Sequence, residues 1–327
     1  MNFGKTLIIQ PSPGIGDMLW HLPYLRALAR QASHGKISLL TKPRNLTKEW
    51  LAHDPIIDRI HYFDRQGLTK SISLIRQERF DTVWILHRSF SYALMAFLGG
   101  IKNRYGFGYG KQKALLTKYP VLDLSFKNRP TIDQVRHLLD LHHIPYDPTQ
   151  YDVFLPPDYQ NAVRKRFSFL NASSGAIALG IGGSEEFKMW PLDSFVKLTL
   201  SLQKQGFTHI FLCGGPQDAA NAHYISEHVK KEGGNALEVT DASIGFSIAL
   251  MRECDYYIGN DSALLNAAVC QGTPALGLFG ATPPLTYSPL IHAIQGEGMT
   301  SISVESVVGA FQSLVDKNTP KSHAHER

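Results

Sequence analysis

Asp17 lies where a carboxylate could act on a ligand. It ends the stretch PSPGIGD, residues 11–17, which directly follows the apolar run of residues 7–9 and precedes a helical pattern. Ligands of parallel α/β sheets bind at such strand-to-helix loops. A phosphate-binding loop would avoid a negative charge, and a dinucleotide fingerprint would need glycine where Leu19 stands. Asp17 is therefore either a structural acid, favoured in the first turn by the helix dipole, or a functional carboxylate.

Lys188 is the second candidate. It lies in GIGGSEEFKMWP, residues 180–191, after the apolar run AIAL. The glycines leave backbone N–H groups accessible, and a lysine supplies a mobile positive charge suited to phosphate. Pro191 is expected near the first position of the next helix. The alternative is a lysine that only faces solvent.

A third loop, in YYIGNDSALLN, contains Asp261 and Ser262. Backbone N–H groups of Ser262, Ala263 and Leu264 would lack partners at the start of the following helix and could hold a pyrophosphate. Asp261 or Ser262 could equally cap that helix, and the two roles are compatible. The remaining loop, LFGATPP, is expected to place Gly280 and Thr282 beside the third.

The elements that carry these loops alternate between apolar runs and helical patterns. Such βαβα alternation predicts α/β architecture, with parallel sheets covered by helices on both faces. The pattern restarts after the Pro-rich stretch LPPDYQ, residues 155–160, which we interpret as a linker. We therefore expect domains at residues 1–155 and 156–316, with a flexible tail at 317–327.

Charge is distributed unevenly along the chain. Residues 1–150 carry 21 Lys/Arg and 11 Asp/Glu, a balance of +10, whereas residues 151–327 carry 12 and 17, a balance of −5. A basic half favours an anionic partner. Nucleic acid is disfavoured because the basic half lacks an aromatic-interleaved basic run. No stretch is long and apolar enough for a membrane span, and no signal peptide is evident, which favours a cytoplasmic protein.

Cysteine and histidine give no metal-site pattern. Cys213, Cys254 and Cys270 lie in apolar contexts, without CxxC spacing or a nearby histidine at ligand spacing, and we expect them to be buried and reduced. His142 and His143 are expected at the surface.

Four segments together resemble the lipopolysaccharide heptosyltransferase family, glycosyltransferase family 9, and its heptosyltransferase-II-like members. NDSALLNAAVCQGTPALGLFGATPP is similar to the family's Asp-Ser-Gly…His…Gly-Pro-Thr-x-Pro region, and PSPGIGDMLWHLPYLRAL to its Gly-Asp opening. FKMWP matches a Lys-x-Trp-Pro element, and HRSFSYALMAFLGGIKNRYGF resembles a further family stretch. The matches run in order from about residue 7 to about residue 290.

The resemblance implies a GT-B fold, in which two Rossmann-like domains with parallel sheets face a central cleft. It implies inverting, metal-independent transfer of heptose from ADP-heptose to a hydroxyl of the lipopolysaccharide inner core, with no cofactor beyond this donor substrate. Asp17 corresponds to the catalytic general base. The donor is expected to contact the following residues: Lys188, Asp218, Asp261, Ser262, Ala263, Leu264, Asn266, Gly280 and Thr282.

The acceptor implied by the resemblance is an anionic saccharide-lipid, which suits the basic first half. We expect it to contact Gly16, Arg88, Lys102, Arg104, Lys111 and Lys113. The protein is then expected to touch the cytoplasmic face of the inner membrane peripherally.

Two positions depart from the family pattern. The glycine after Asp-Ser is Ala263, and the histidine is Asn266, which cannot carry a positive charge. Three hypotheses therefore stay open: transfer of heptose to lipopolysaccharide, the same fold acting on another nucleotide-sugar or another acceptor, and a catalytically degenerate nucleotide- or saccharide-binding relative. Asp17, Lys188 and Asp261 together argue against the last.

Overall fold

A computed structural model of the chain describes residues 2–63, 68–171 and 175–317. The chain divides into two compact units, Met1–Leu155 and Pro156–Arg327. The boundary falls inside the Pro-rich stretch, but that stretch is not simply a linker, because a helix begins at Pro157. Proline suits a first helical turn, where its fixed φ is already helical and its missing N–H has no intrahelical partner to lose.

A parallel sheet of five strands forms the centre of the N-terminal unit. Its strands are β1 Thr6–Ile9, β2 Ile37–Thr41, β3 Ile57–Tyr62, β4 Thr82–Ile85 and β5 Asn103–Gly106. The spatial order is β3-β2-β1-β4-β5, and Thr6 lies opposite both Ile37 and Thr82. The helices are α1 Ile15–Gln31, α2 Thr47–Trp50, α3 Leu68–Glu78, α4 Phe90–Leu98 and α5 Thr131–Leu141.

The central strands of this sheet are apolar because helices cover both of their faces. All four residues of β1, TLII, are buried, as are all four of β4, TVWI. The apolar face of α1 is buried as well, since Leu19, Leu22, Leu25 and Leu28 are all inaccessible. The helical spacing and the buried strands together fix the position of the loop that carries Asp17.

The C-terminal unit repeats the architecture with six parallel strands. They are β6 Ala176–Gly180, β7 His209–Cys213, β8 Leu237–Val239, β9 Tyr256–Asn260, β10 Ala275–Phe279 and β11 Ile291–Gln295. Their order is β11-β10-β9-β6-β7-β8. The helices are α6 Pro157–Arg166, α7 Leu192–Lys204, α8 Ala219–Lys231, α9 Ile244–Glu253, α10 Ala263–Cys270 and α11 Val304–Lys317. The predicted α/β architecture with two parallel sheets is confirmed.

The core of this unit joins sheet and helices through large side chains. Trp190, Phe195 and Phe311 are completely or almost completely buried, and the rings of Phe311 and Tyr256 meet edge to face with centroids 5.2 Å apart. Helix α11 thereby packs into the core of its own unit. It ends at Lys317, and the rest of the predicted tail lies outside the described residues.

The three cysteines and His142 are all buried. The three cysteines are buried and free, as predicted, and burial raises the pKa of the Cys213 thiol to about 12. His142 was wrongly expected at the surface, because its ring is buried against the ring of Tyr105, with centroids 4.8 Å apart. None of the helices in the described ranges has the length and apolarity needed to cross a bilayer.

Candidate active site

Asp17 lies in the first turn of α1, immediately beyond the carboxyl end of β1. The residue that precedes the helix is Gly14, and a Cβ there would lie only 2.7 Å from Oδ2 of Asp17. Glycine therefore leaves the space that the carboxylate occupies above the helix start. Gly16 and Asp17 are both half-buried, so they remain accessible to a ligand.

Beneath Asp17, His21 and Gln10 form a buried polar contact that fixes the turn. Nδ1 of His21 lies 2.5 Å from the backbone carbonyl of Asp17, and because a carbonyl only accepts, Nδ1 carries the hydrogen. The Gln10 side chain accepts from the Ser12 amide at 2.8 Å, and its Nε2 lies 3.4 Å from Nε2 of His21. Burial lowers the pKa of His21, so the ring is neutral.

A basic cavity of about 380 Å³ opens beyond the carboxyl ends of β4 and β5. Since β4 pairs with β1, this cavity lies at the same edge of the sheet as Asp17. Burial lowers the pKa of His87, and the positive charges of Arg88 and Lys42 lower it further, which indicates a positive local potential. The described residues that line the cavity include no acid and are His87, Arg88, Phe107, Lys127, Asn128, Arg129, Thr131 and Gln134.

Of this cavity's cations, only Arg88 was predicted from the sequence. Lys127 and Arg129 were missed because they lie far along the chain, just before α5, and only the fold brings them to β4. The turn at residues 110–115 is tied to the same place, because Nε2 of Gln112 donates to the carbonyls of His87 and Ser89 at 2.8 and 3.1 Å. Residues 111 and 113, both lysines, are exposed on this turn.

Two of the predicted acceptor residues lie elsewhere. Lys102 precedes β5 and therefore lies at the amino-terminal edge of the sheet, opposite to the edge of Asp17, beside Arg76 and Arg79. The Arg104 guanidinium donates to the carbonyls of Ile101 and Leu115, so its donors support the backbone. The structure does not bring either residue to the edge of the sheet that carries Asp17, because β5 begins rather than ends near them.

In the C-terminal unit a single buried amide, that of Asn260, connects three segments. Its Oδ1 accepts from the Trp190 amide at 3.0 Å, and its Nδ2 donates to the carbonyls of Ile181 and Gly182 at 2.9 and 3.3 Å. Asn260 is the last residue of β9 and is completely buried. The loops after β6 and β9 are thus held in one arrangement by side-chain bonds, a role that the sequence analysis did not identify.

Close packing beneath these loops depends on two facing glycines. A Cβ on Gly180 would lie 1.8 Å from the Tyr257 hydroxyl oxygen, and a Cβ on Gly259 would lie 2.5 Å from the Gly180 carbonyl. The Tyr257 hydroxyl in turn lies 3.3 Å from Oγ of Ser262. Glycine at both positions lets β6 and β9 approach with Tyr257 between the sheet and the Ser262 loop.

The third and fourth loops meet as expected. Oγ1 of Thr282 donates to Oδ2 of Asp261 at 2.7 Å, and both side chains are half-buried. Ser262 precedes the first residue of α10 but its side chain does not cap the helix. The N–H groups of the first helical turn, which begins at Ala263, therefore remain available to an anion.

Lys188 lies in the loop after β6, in a short 3-10 turn formed by Glu186–Lys188. Its Nζ is 3.9 Å from Oε2 of Glu185, which is a long contact between partly exposed groups. Such a contact contributes little to stability and leaves the ammonium group able to turn to a phosphate. Glu185 nevertheless competes with a phosphate for this charge.

A family model for glycosyltransferase family 9 (heptosyltransferase) matches residues 68–302. The chain belongs to glycosyltransferase family 9. Lipopolysaccharide heptosyltransferase 2 of Escherichia coli K12 is 24% identical over 339 residues, covering 95% of this chain and 94% of that protein.

Solved structures share this fold over nearly the whole chain. A glycosyltransferase family 9 structure from Veillonella parvula superposes with a TM-score of 0.80 at 20% identity, covering 97% of this chain and 98% of that one. Escherichia coli heptosyltransferase WaaC with ADP-2-deoxy-2-fluoro heptose superposes with a TM-score of 0.68 at 16% identity, covering 96% and 100%. The predicted fold class and the prediction of a glycosyltransferase are confirmed.

Two residues expected to contact the donor of this glycosyltransferase are occupied inside the protein. Asn266, only 2% exposed, donates from Nδ2 to the Ser262 carbonyl at 2.9 Å and accepts from the Tyr287 hydroxyl at 2.5 Å. We therefore reassign Asn266 from ligand contact to support of the Ser262 loop. The Tyr287 partner could not be predicted, because the sequence does not specify which side chain meets an asparagine 21 residues away.

Asp218 is likewise used within its own loop. Its Oδ2 accepts from the Gly215 amide at 2.8 Å and from Nε2 of Gln217 at 3.1 Å. The residue is 4% exposed, and burial raises the pKa of its carboxyl while the Gly215 bond opposes that shift. We interpret Asp218 as a residue that positions the turn before α8, close to Gly182, rather than as a direct contact to a ribose.

Proposed function

We propose that this family 9 enzyme transfers heptose from ADP-heptose to a hydroxyl of the lipopolysaccharide inner core. The observation that carries the proposal is the set of loops held by Asn260, which gathers Lys188, Asp261 and the uncapped start of α10 at one edge of the sheet. Their chemistry suits a nucleotide diphosphate-sugar. Similarity to a heptosyltransferase 2 over almost its whole length supports heptose as the sugar.

The donor is held mainly by backbone groups and one lysine. The first-turn N–H groups of Ala263 and Leu264, with Ser262, receive the diphosphate, and Lys188 neutralises its charge as ADP leaves. The Asp261–Thr282 pair presents oxygen atoms to the hydroxyl groups of the sugar, beside Gly280. No step of this proposed reaction uses a metal ion, since the charge of the leaving group is met by these groups.

Asp17 acts as the general base. Its carboxylate takes the proton of the acceptor hydroxyl while that oxygen attacks the anomeric carbon of heptose. A new carbon–oxygen bond forms at that carbon as its bond to the diphosphate oxygen breaks, and the electron pair leaves with ADP. Because attack comes from the face opposite the leaving group, a single displacement inverts the configuration.

The acceptor is an anionic saccharide that binds at the basic edge of the N-terminal unit. Its anionic groups meet Arg88, Lys127 and Arg129 in the cavity, with Lys111 and Lys113 on the neighbouring turn. Gly16 offers a half-buried backbone beside Asp17. This proposed acceptor accounts for the balance of +10 in residues 1–150.

The charge around Lys188 supports a second candidate function, with another donor. Glu185 lies against Lys188, so the net positive charge offered to a diphosphate is small. Another nucleotide-sugar, or another acceptor, on the same fold is the alternative, and binding without turnover is the third outcome.

Calorimetry with ADP, UDP, GDP and NADH tests the proposal first, followed by transfer from ADP-heptose to a core acceptor. We expect selective ADP binding that weakens roughly tenfold in Lys188→Ala, because one charge-assisted contact is lost. Lys197→Ala, which removes an exposed lysine from α7, is the matched control and should bind like the wild type. Preference for UDP or GDP would replace the donor, and binding of ADP without transfer would support the degenerate relative.

A further inference from the structure

Helix α4 presents an apolar stripe to solvent. Phe90, Leu94, Phe97 and Leu98 follow the spacing i, i+4, i+7 and i+8, which places them on one face. Phe90 is 40% exposed, Phe97 49% and Leu98 39%. The opposite side of the helix packs into the core through Ala93, Met95 and Ala96. A helix of a soluble domain normally turns polar residues outward, so this stripe calls for a partner.

Basic residues border the stripe, and the stretch of sequence that contains it has no acid. Residues 82–122 contain no Asp or Glu and six Lys or Arg, namely Arg88, Lys102, Arg104, Lys111, Lys113 and Lys118. The Arg104 guanidinium lies over the Phe97 ring, 5.3 Å from its centroid. Nε of Arg76 donates to the Leu98 carbonyl at 3.0 Å, which brings a further exposed cation from α3 to the end of the stripe.

We infer that the α4 stripe docks on an anionic lipid bilayer. An apolar helix face with a basic border is the arrangement that inserts at the interface of such a bilayer, with the cations at the level of the headgroups. The helix has nine residues, about 14 Å by its rise per residue, which is too short to span a bilayer and suits a position along its surface. A second copy of the chain fits less well, because symmetrical pairing would bring two basic borders together.

The stripe is continuous with the basic cavity. Phe90 begins α4 only two residues after Arg88, which lines that cavity. A docked α4 therefore holds the cavity next to the headgroups, where the saccharide of a lipid-linked acceptor lies. This last step rests on the proposed function, whereas the docking itself does not.

Vesicle sedimentation tests the docking directly. The wild-type protein should bind vesicles containing phosphatidylglycerol, bind neutral phosphatidylcholine vesicles far less, and be released by high salt. The double variant Phe90→Ser/Phe97→Ser should lose roughly tenfold in binding, and Lys111→Glu/Lys113→Glu should lose a similar factor on anionic vesicles only. Tyr224→Ser removes an exposed aromatic side chain of the C-terminal unit and should bind normally. Circular dichroism checks that each variant is folded.

The inference is overturned if the wild-type protein stays in solution with anionic vesicles, or if both double variants bind as it does. It is also overturned if Phe90→Ser/Phe97→Ser instead dissociates a dimer in analytical ultracentrifugation. Transfer assays separate this result from the proposed function. The Phe variant should slow transfer to a vesicle-embedded acceptor but not to a water-soluble core oligosaccharide. Vesicle binding without any transfer would leave the docking intact and contradict the function.

Discussion

In the C-terminal unit one buried amide, that of Asn260, bonds to three backbone groups and fixes the loops that are proposed to bind the donor. In the N-terminal unit the proposed acceptor cations, Arg88, Lys127 and Arg129, are exposed around an open cavity of about 380 Å³. The first arrangement is short-ranged and depends on geometry, and the second depends on charge and is screened by salt. In the proposed function, a small donor would thus bind a preformed backbone site, and a large anionic acceptor would bind an adaptable electrostatic one.

The largest expected effect comes from Asp17, which belongs to neither arrangement because it is assigned to proton transfer. Asp17→Asn keeps the shape of the side chain but cannot take a proton, so kcat should fall roughly 10²–10⁴-fold. ADP affinity, measured by calorimetry, should stay at the wild-type value, because the donor loops are in the other unit. Normal transfer by this variant would show that another group is the base.

Asn260→Ala should release the loops after β6 and β9 that form the proposed donor site. Removing the amide leaves the Trp190 N–H and two carbonyls without their buried partner, at a cost of about 3 kcal/mol in the free energy of unfolding. Urea unfolding measures this loss, and ADP affinity should fall with it, because the Ile181 and Trp190 segments are released. Asn235→Ala is the matched control, since that residue is exposed and engages Gln203 through its backbone. Unchanged stability and ADP binding would contradict the role given to Asn260.

Removing cations from the proposed acceptor site should weaken acceptor binding without abolishing transfer. Lys127→Ala/Arg129→Ala should raise the KM for the acceptor roughly tenfold and leave kcat nearly unchanged, since the cations bind the acceptor equally before and during reaction. The difference from wild type should shrink at high salt. Lys102→Ala, at the opposite edge of the sheet, should have no effect. A larger effect from Lys102 than from Lys127 and Arg129 would show that the acceptor contacts Lys102 rather than the cavity.

The extent to which a strand is buried explains which strands could be predicted from the sequence. Apolar runs in the sequence coincide with the seven inner strands, β1, β2, β4, β6, β7, β9 and β10. The other four strands, β3, β5, β8 and β11, have no such run and are the edge strands of the two sheets. Edge strands are covered less completely and so carry polar residues, as in Ile57–Tyr62, IDRIHY, where two residues are exposed. Apolar patterning detects burial, and it fails where burial is partial.

For the site, motifs located the loops but not the contacts within them. The positions of Asp17, Lys188 and Asp261 at strand ends follow from local sequence. The bonds of Asn260 and Asn266 depend on partners that only the tertiary structure brings near, so Asn266 was assigned to the donor and Asn260 to nothing. The sequence signal that could have indicated this role is an asparagine at the end of an apolar strand pattern. Such a position is expected to be buried, and a buried amide must find partners.

The smallest effect concerns pH and again separates the two units. Burial lowers the pKa of four histidines in the N-terminal unit, namely His21, His61, His87 and His142. Their unfolded forms bind protons more readily, so stability is lost as pH falls from the unfolded pKa toward the lower folded one. In the C-terminal unit His292 behaves alike, but burial raises the pKa of Asp218, which contributes with the opposite sign.

Acidification from about pH 7 to about pH 5 should therefore destabilise the N-terminal unit more than the C-terminal unit. Hydrogen exchange with peptide resolution, corrected for the intrinsic pH dependence of exchange, measures both units in the same sample. His142→Phe replaces the buried ring, which packs against Tyr105, by one that cannot be charged, so it should reduce the acid-dependent loss in the N-terminal unit. An equal loss in both units, or an unchanged loss in the variant, would mean that buried histidines do not set the acid stability of this unit.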